Sequence, residues 1–193
     1  YNGCSVLIGA SVGDSMGSFC EFSTPSNSNH TAIFQDLNPI FHTAKGQLTD
    51  DSEIAISLAL GILEAINSFG ISQKSLENLN VNLAAFYYLY WYYSPPFDIG
   101  RTTSNALKVK FDINKFAYTD TTLAAEIKSN ASSYNKDSLS NGFLMRHTPI
   151  TVYLYYLSQM KKEGETDAFF NFEKLLEEKK FKDLFLFLAN LVC

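Results

Sequence analysis

Between residues 51 and 69 the apolar side chains recur at every fourth position, Ile54, Leu58, Ile62 and Ile66, with Ala55, Ala59 and Leu63 beside them. That spacing is one face of an α-helix, and Gly70 marks where it stops. No clean run alternates apolar and polar residues, so the chain reads as all-α. Helical spacing also fits residues 5–20, about 74–93, 102–110, 121–128, 150–160 and 168–192. The second of these ends in the aromatic run from Phe86 to Tyr93, closed by Pro95 and Pro96, which lack the amide a helix needs. Aromatic residues on every face fit a buried helix, and they also fit a platform for stacking an adenine. Burial is the expected outcome. Residues 23–47 and 129–142 read as polar loops.

At 193 residues the chain is long enough for one domain over 1–193 with a sizeable core. Charged residues make up 18% and the net charge is −5, which argues against a nucleic-acid-coating surface and leaves any phosphate to be held by local groups. Cys4, Cys20 and Cys193 are widely spaced, with no Cys-x-x-Cys or Cys/His cluster for zinc. Free thiols in a reducing, cytoplasmic compartment are expected, and Asn29 and Asn130 match the glycosylation pattern by accident. The apolar run from Ser5 to Val12 is too short to span a bilayer and soon meets Asp14, so no membrane insertion is expected.

The helix at 51–69 is opened by Thr49-Asp50-Asp51-Ser52-Glu53. Neighbouring acids repel one another unless something neutralises them, and carboxylate and hydroxyl oxygens suit a hard divalent cation such as Mg2+ or Ca2+. The same residues also read as a helix start: Asp50 with Glu53 makes a capping box, and acids in a first turn gain about 0.3–1 kcal/mol from the macrodipole. Capping leaves the second Asp and the flanking hydroxyls unexplained. In the first helix Gly9, Gly13 and Gly17 form one face, ended by Glu21, with Asp14 one step round. Each glycine weakens a helix by about 1 kcal/mol relative to alanine, so three in register predict a close approach by another helix or a ligand. His30, His42 and His147 have no partnered acid or nucleophile at a telling spacing, so a Ser/His/Asp hydrolase is not expected.

Four segments fall in order: Gly9 to Glu21, Gly46 to Glu53, Ser94 to Thr103 (Ser-Pro-Pro-Phe-Asp98-Ile-Gly100-Arg-Thr-Thr), and Ser140-Asn141-Gly142-Phe-Leu-Met145-Arg146. Together they resemble the ADP-ribosylglycohydrolase family over residues 3–149. The resemblance implies a compact all-α domain with a two-Mg2+ centre that hydrolyses the glycosidic bond of ADP-ribose on protein side chains or small molecules. It assigns Thr49, Asp50 and Asp51 to the first half of the metal centre and Glu21 to catalysis or gating. Ser140, Asn141 and Gly142 match the loop whose backbone lies along ADP-ribose, with amides turned toward the diphosphate by positive φ at Asn141 and Gly142. Met145 and Arg146 are expected to brace that loop, while Ser52 and Glu53 carry no assigned ligand role.

The family's later Asp-x-Asp-Thr/Ser motif, which supplies the other metal ligands, has no counterpart after Arg146. The expectation is therefore the front portion of the domain, with a further segment or a partner chain completing it. Two other readings stand beside the hydrolase: a non-catalytic module within a larger assembly, and an ADP-ribose reader that binds without cleaving.

Overall fold

The computed structural model describes residues 2–21, 42–69, 81–115 and 122–161. The helix predicted over 168–192, residues 74–80 of the one predicted over 74–93, and most of the 23–47 loop lie outside these residues. In chain order the structure comprises α1 (Asn2–Gly17) with a 3-10 turn (Ser18–Cys20), then α2 (Asp50–Phe69), α3 (Val81–Tyr92) and α4 (Arg101–Ala106). A 3-10 turn (Ile113–Lys115), α5 (Thr122–Tyr134), a further 3-10 turn (Leu144–Arg146) and α6 (His147–Lys161) complete the order. Among the described residues every regular element is helical, as the periodicity predicts, and the fold is all-α. Among the described residues no helix is long and apolar enough to cross a membrane.

The α2 stripe turns inward as its spacing requires. Ile54 and Leu58 are fully buried and Ile62 nearly so, in one cluster with Leu89 and Trp91 of α3 and Ile150 of α6. Each such side chain contributes about 1.5–3 kcal/mol through removal from water. The neighbouring Leu63 stays half exposed, on the side of α2 that faces α1. The aromatic α3 buries Leu83, Tyr88, Leu89 and Trp91, while Tyr90 remains exposed, stacked with Phe86. Phe111 meets Phe86 edge-on and lies parallel to Tyr93, which keeps the outer aromatics packed on one another. Pro149 falls in the first turn of α6, where a missing amide removes no helical hydrogen bond.

Among the described residues the close backbone approach is made at a glycine of α2 and not at the glycine row of α1. A Cβ built on Gly9, Gly13 or Gly17 would meet no described atom within 4 Å. At Gly61 of α2 it would lie 2.9 Å from Ala84 Cα and 3.0 Å from Ala84 N, so this glycine lets α2 and α3 touch backbone to backbone.

Two boundaries differ from the sequence expectation. The helix expected over 102–110 stops at Ala106, because Leu107 and Val109 turn their side chains into the core and Tyr93 Oη donates to the Val109 carbonyl (2.7 Å). Conversely α5 runs to Tyr134, through residues expected to be loop. Asparagines supply the reason: Asn130 Nδ2 donates to Lys108 O (3.0 Å) and Asn135 Nδ2 to Thr102 O (2.8 Å), stitching the last turns of α5 to the residues just past α4 and to the first turn of α4. At the other end of α5, buried Asn82 accepts the Ala124 amide (3.0 Å). Such tertiary bonds override the weak helical preference of Asn and Ser.

Gly61→Ala is expected to lower stability by about 1–3 kcal/mol, since the methyl group must displace backbone. Gly13→Ala is expected to leave stability unchanged or raise it by up to about 1 kcal/mol. Urea unfolding of the two variants, followed by circular dichroism, checks the contrast.

Candidate functional site

Thr49 is the residue on which α2 starts. Its Oγ1 accepts the Asp51 amide (3.4 Å) and its carbonyl accepts the Glu53 amide (3.0 Å), so Thr49 is the N-cap. The capping box expected between Asp50 and Glu53 is not formed: Asp50 is already inside the helix, and Glu53 Oε2 accepts instead from Trp91 Nε1 (2.7 Å). Asp14 of α1 grips Thr49 from the opposite side, Oδ2 accepting its amide (3.0 Å) and Oδ1 its hydroxyl (2.6 Å). With capping performed by Thr49, the carboxylates of Asp50 and Asp51 are left for other work.

Those carboxylates belong to a cluster drawn from three parts of the chain. Asp50 is pushed up from 3.8 to about 6 by burial and then by the charges of Asp98, Asp51 and Asp14, partly offset by a hydrogen bond from the Gly100 amide. Asp51 is raised by burial and by Asp14 and Asp98. Asp98 is raised by burial and by Asp14, against a lowering bond from the Ile99 amide. Glu21, just beyond the 3-10 turn at the end of α1, is raised by burial and then by Asp98, Asp50, Asp51 and Asp14. Every charged neighbour that shifts these acids is itself an acid. The fold thus brings Glu21, Asp50 and Asp51 within electrostatic reach of one another, together with Asp14 and Asp98.

Beside Asp14 and Asp51 a groove of about 480 Å³ runs between α1 and α2. Ser11 and Ser52 lie near its acidic end, and Leu7, Ala55, Ala59 and Leu63 make the rest apolar.

The Ser140–Gly142 loop lies by the start of α4, the same strap that carries Asp98 and Gly100. Ser138 Oγ lies 3.1 Å from Thr102 Oγ1, and a Cβ on Gly142 would come 3.9 Å from Thr103 Oγ1. The positive φ expected at Asn141 and Gly142 is absent; among the described residues only His42 and Gly46 have it. Serine hydroxyls make the turn instead: Ser138 Oγ accepts the Ser140 amide (3.2 Å) and Ser140 Oγ the Gly142 amide (3.2 Å). Met145 packs partly buried against the core and Arg146 lies over the Tyr88 ring (5.7 Å to its centre), so both brace the loop.

The chemistry of this cluster suits a hard divalent cation, since its oxygens are anionic, partly desolvated and mutually repelling. Its spacing does not close a site: among the described residues no three His, Cys, Asp or Glu side chains form a group able to hold a metal.

The chain matches the ADP-ribosylglycohydrolase family model over residues 3–169, and it belongs to that family. A protein of Acanthamoeba polyphaga mimivirus described as an ADP-ribosyl glycohydrolase is 34% identical over 149 residues, 74% of this chain and 38% of that protein. The chain therefore spans under two fifths of the length of this relative. No solved structure matches it.

Asp14 and Asp98 have no role assigned from the sequence, although both stand in the motifs that carry the resemblance. The available signal is Asp98-Ile99-Gly100 between a Pro-Pro stop and a helix start, a short strap able to carry an acid back to α2.

A raised carboxyl pKa means the folded protein holds a proton that the unfolded chain releases. In metal-free protein the stability contributed around Asp50 is complete below pH about 4 and declines as pH rises through about 6. Discounted for partial exposure, the decline is about 1–2 kcal/mol. Asp50→Asn should remove it, giving a higher Tm than wild type at pH 7 and an equal one near pH 4, by differential scanning fluorimetry in EDTA.

Proposed function

We propose that this chain carries the front part of a metal-assisted hydrolase site that cleaves the glycosidic bond of ADP-ribose attached to protein side chains or small molecules. The observation that carries this reading is the convergence of Asp50 and Asp51 with Glu21 and Asp98 while Thr49, held by Asp14, takes over the capping of α2. Asp50 and Asp51 would hold a divalent ion, Mg2+ in our assignment, and Thr49 Oγ1 adds a third oxygen with the lone pair left after its bond from Asp51. When bound, such an ion neutralises the acids, orients ribose hydroxyls and lowers the pKa of water.

Hydrolysis at an anomeric carbon passes through an oxocarbenium-like state, which calls for a rigidly held ribose and a water activated on one face. Glu21 is the general base or acid. Its carboxyl stands above the ordinary range because it is partly buried beside other acids, which brings its affinity for a proton nearer to working pH. Ser140 and Asn141 would hold the diphosphate through hydroxyl and amide donors, with Gly142 keeping the turn narrow. A two-ion centre needs acidic ligands beyond this cluster, supplied by a further segment or a partner chain. The non-catalytic reading gains no support from an acid cluster that burial and repulsion make expensive to keep.

A divalent ion present at about a hundred times its Kd should raise Tm by the equivalent of about 2.7 kcal/mol. The rise should be larger at pH 7 than at pH 5, because protonated Asp50 binds it poorly. Asp50→Ala combined with Asp51→Ala should abolish this shift and, in the protein carrying the complete ligand set, the release of ADP-ribose, with helix content unchanged. Glu21→Gln should keep the Tm shift and lower kcat by about 10²–10⁴-fold. A wild-type Tm that responds to neither Mg2+ nor ADP-ribose would overturn the assignment.

A further inference from the structure

Glu53 is the third acid in the first turn of α2, and the metal-assisted site leaves it without a task. Its Oε2 accepts from Nε1 of Trp91, an indole only 6% exposed near the end of α3. From Trp91 the chain turns at once. Ser94 returns both its amide (3.0 Å) and its hydroxyl (2.7 Å) to the Trp91 carbonyl, and Pro95 and Pro96 stiffen the next stretch of backbone. Two residues later comes Asp98, and the Gly100 amide then bonds the carboxylate of Asp50.

These links form a closed circuit. Asp50 and Glu53 are one helical turn apart; Glu53 ties to Trp91; a short proline-stiffened strap leads from Trp91 to Gly100; and Gly100 ties back to Asp50. A strap fastened at both ends to the same turn of α2 has little freedom, and Asp98 sits on it between the two fastenings. We infer that Glu53 and Trp91 are positioning residues, whose hydrogen bond sets where Asp98 stands relative to Asp50 and through that the cation affinity of the acid cluster. Neither touches the reacting atoms. This inference rests on the metal-assisted reading above, and it gives Glu53 a role which the motif alone did not.

The test compares wild type with Glu53→Leu, which removes the acceptor, Trp91→Phe, which removes the donor, and Glu53→Gln, which keeps an acceptor on a side chain of the same length. Amide hydrogen exchange needs no metal and reads the strap directly. Glu53→Leu and Trp91→Phe should speed exchange at Ile99 and Gly100 by about tenfold or more while Leu58, Ile62 and Leu89 in the paired helices stay protected, and Glu53→Gln should restore wild-type rates. In parallel, Mg2+ affinity measured by calorimetry should fall by about 10–100-fold in the Leu and Phe variants and recover in the Gln variant.

Unchanged exchange at Ile99 and Gly100 with Mg2+ affinity intact would overturn the inference and leave the metal site standing. General loss of protection throughout α2 and α3, not rescued by Gln, would also overturn it, by reducing the pair to an ordinary core contact. Should wild type bind no Mg2+ while the strap still loosens selectively, the metal reading falls and the tie between Glu53 and the strap survives. Trp91 is the single tryptophan of the chain, so its fluorescence offers an independent check: Glu53→Leu should shift its emission and Glu53→Gln should not.

Discussion

The paired hydrogen bonds from Thr49 to Asp14 fix the relation between α1 and α2, and most of the site depends on them. One carboxylate takes both the amide and the hydroxyl of the same residue, at 3.0 and 2.6 Å, with Thr49 almost wholly buried. Bonds to a charged acceptor contribute about 1.5–3 kcal/mol each, more than a neutral cap supplies. The geometric effect matters as much as the energy. The threonine becomes the N-cap, the helix begins one residue earlier than a capping box on Asp50 would place it, and the next two acids project without a capping duty. The same clamp brings the end of α1, and so Glu21, to the first turn of α2.

Electrostatics run against this arrangement. Asp14, Glu21, Asp50, Asp51 and Asp98 are held near one another, and burial and mutual repulsion both push the proton affinities of four of them upward. The first-turn macrodipole of α2 and the Gly100 amide return only part of that energy. A fold that needed these residues only as surface acids would let them separate into water. The bonds from Thr49 to Asp14 and from the Gly100 amide to Asp50 prevent it, so the repulsion is built in. Perturbed carboxylates of this kind concentrate at functional sites for that reason.

Legibility in the sequence tracks the range of the interaction. The α2 stripe is readable because a 3.6-residue period reports one continuous buried face, and Ile54, Leu58 and Ile62 occupy it. The acid pair is readable because adjacent like charges are conspicuous locally. Contacts made across the fold are not. Gly61 looks like any interior glycine until Ala84 is set against it, whereas the conspicuous row at Gly9, Gly13 and Gly17 meets no described atom. The end of α4 and the extension of α5 are decided by Tyr93, Asn130 and Asn135, each bonding to backbone over 15 residues away. The membership of Asp98 in the cluster depends on a strap whose course no periodicity encodes. For the Ser140–Gly142 loop the difference is chemical: Asn-Gly suggests a positive-φ turn, while the nearby serines make the turn through their own hydroxyls.

The acid cluster is assembled almost wholly from element ends: the exit of α1, the entry of α2, and the strap after α3 with the entry of α4. Helix termini leave backbone groups unsatisfied, so they can serve a ligand as well as the fold, and here the Gly100 amide at the entry to α4 already binds a carboxylate. Positions on such ends are only as rigid as the packing behind them. Asp50 and Asp51 open the helix whose contact with α3 Gly61 makes close, and the strap that carries Asp98 leaves α3 just after Trp91, whose ring lies in the core. Rigid helices thus set the distances while their ends present the oxygens, and a change deep in the α2–α3 interface reaches the acids through the direction of a helix axis without touching any of them.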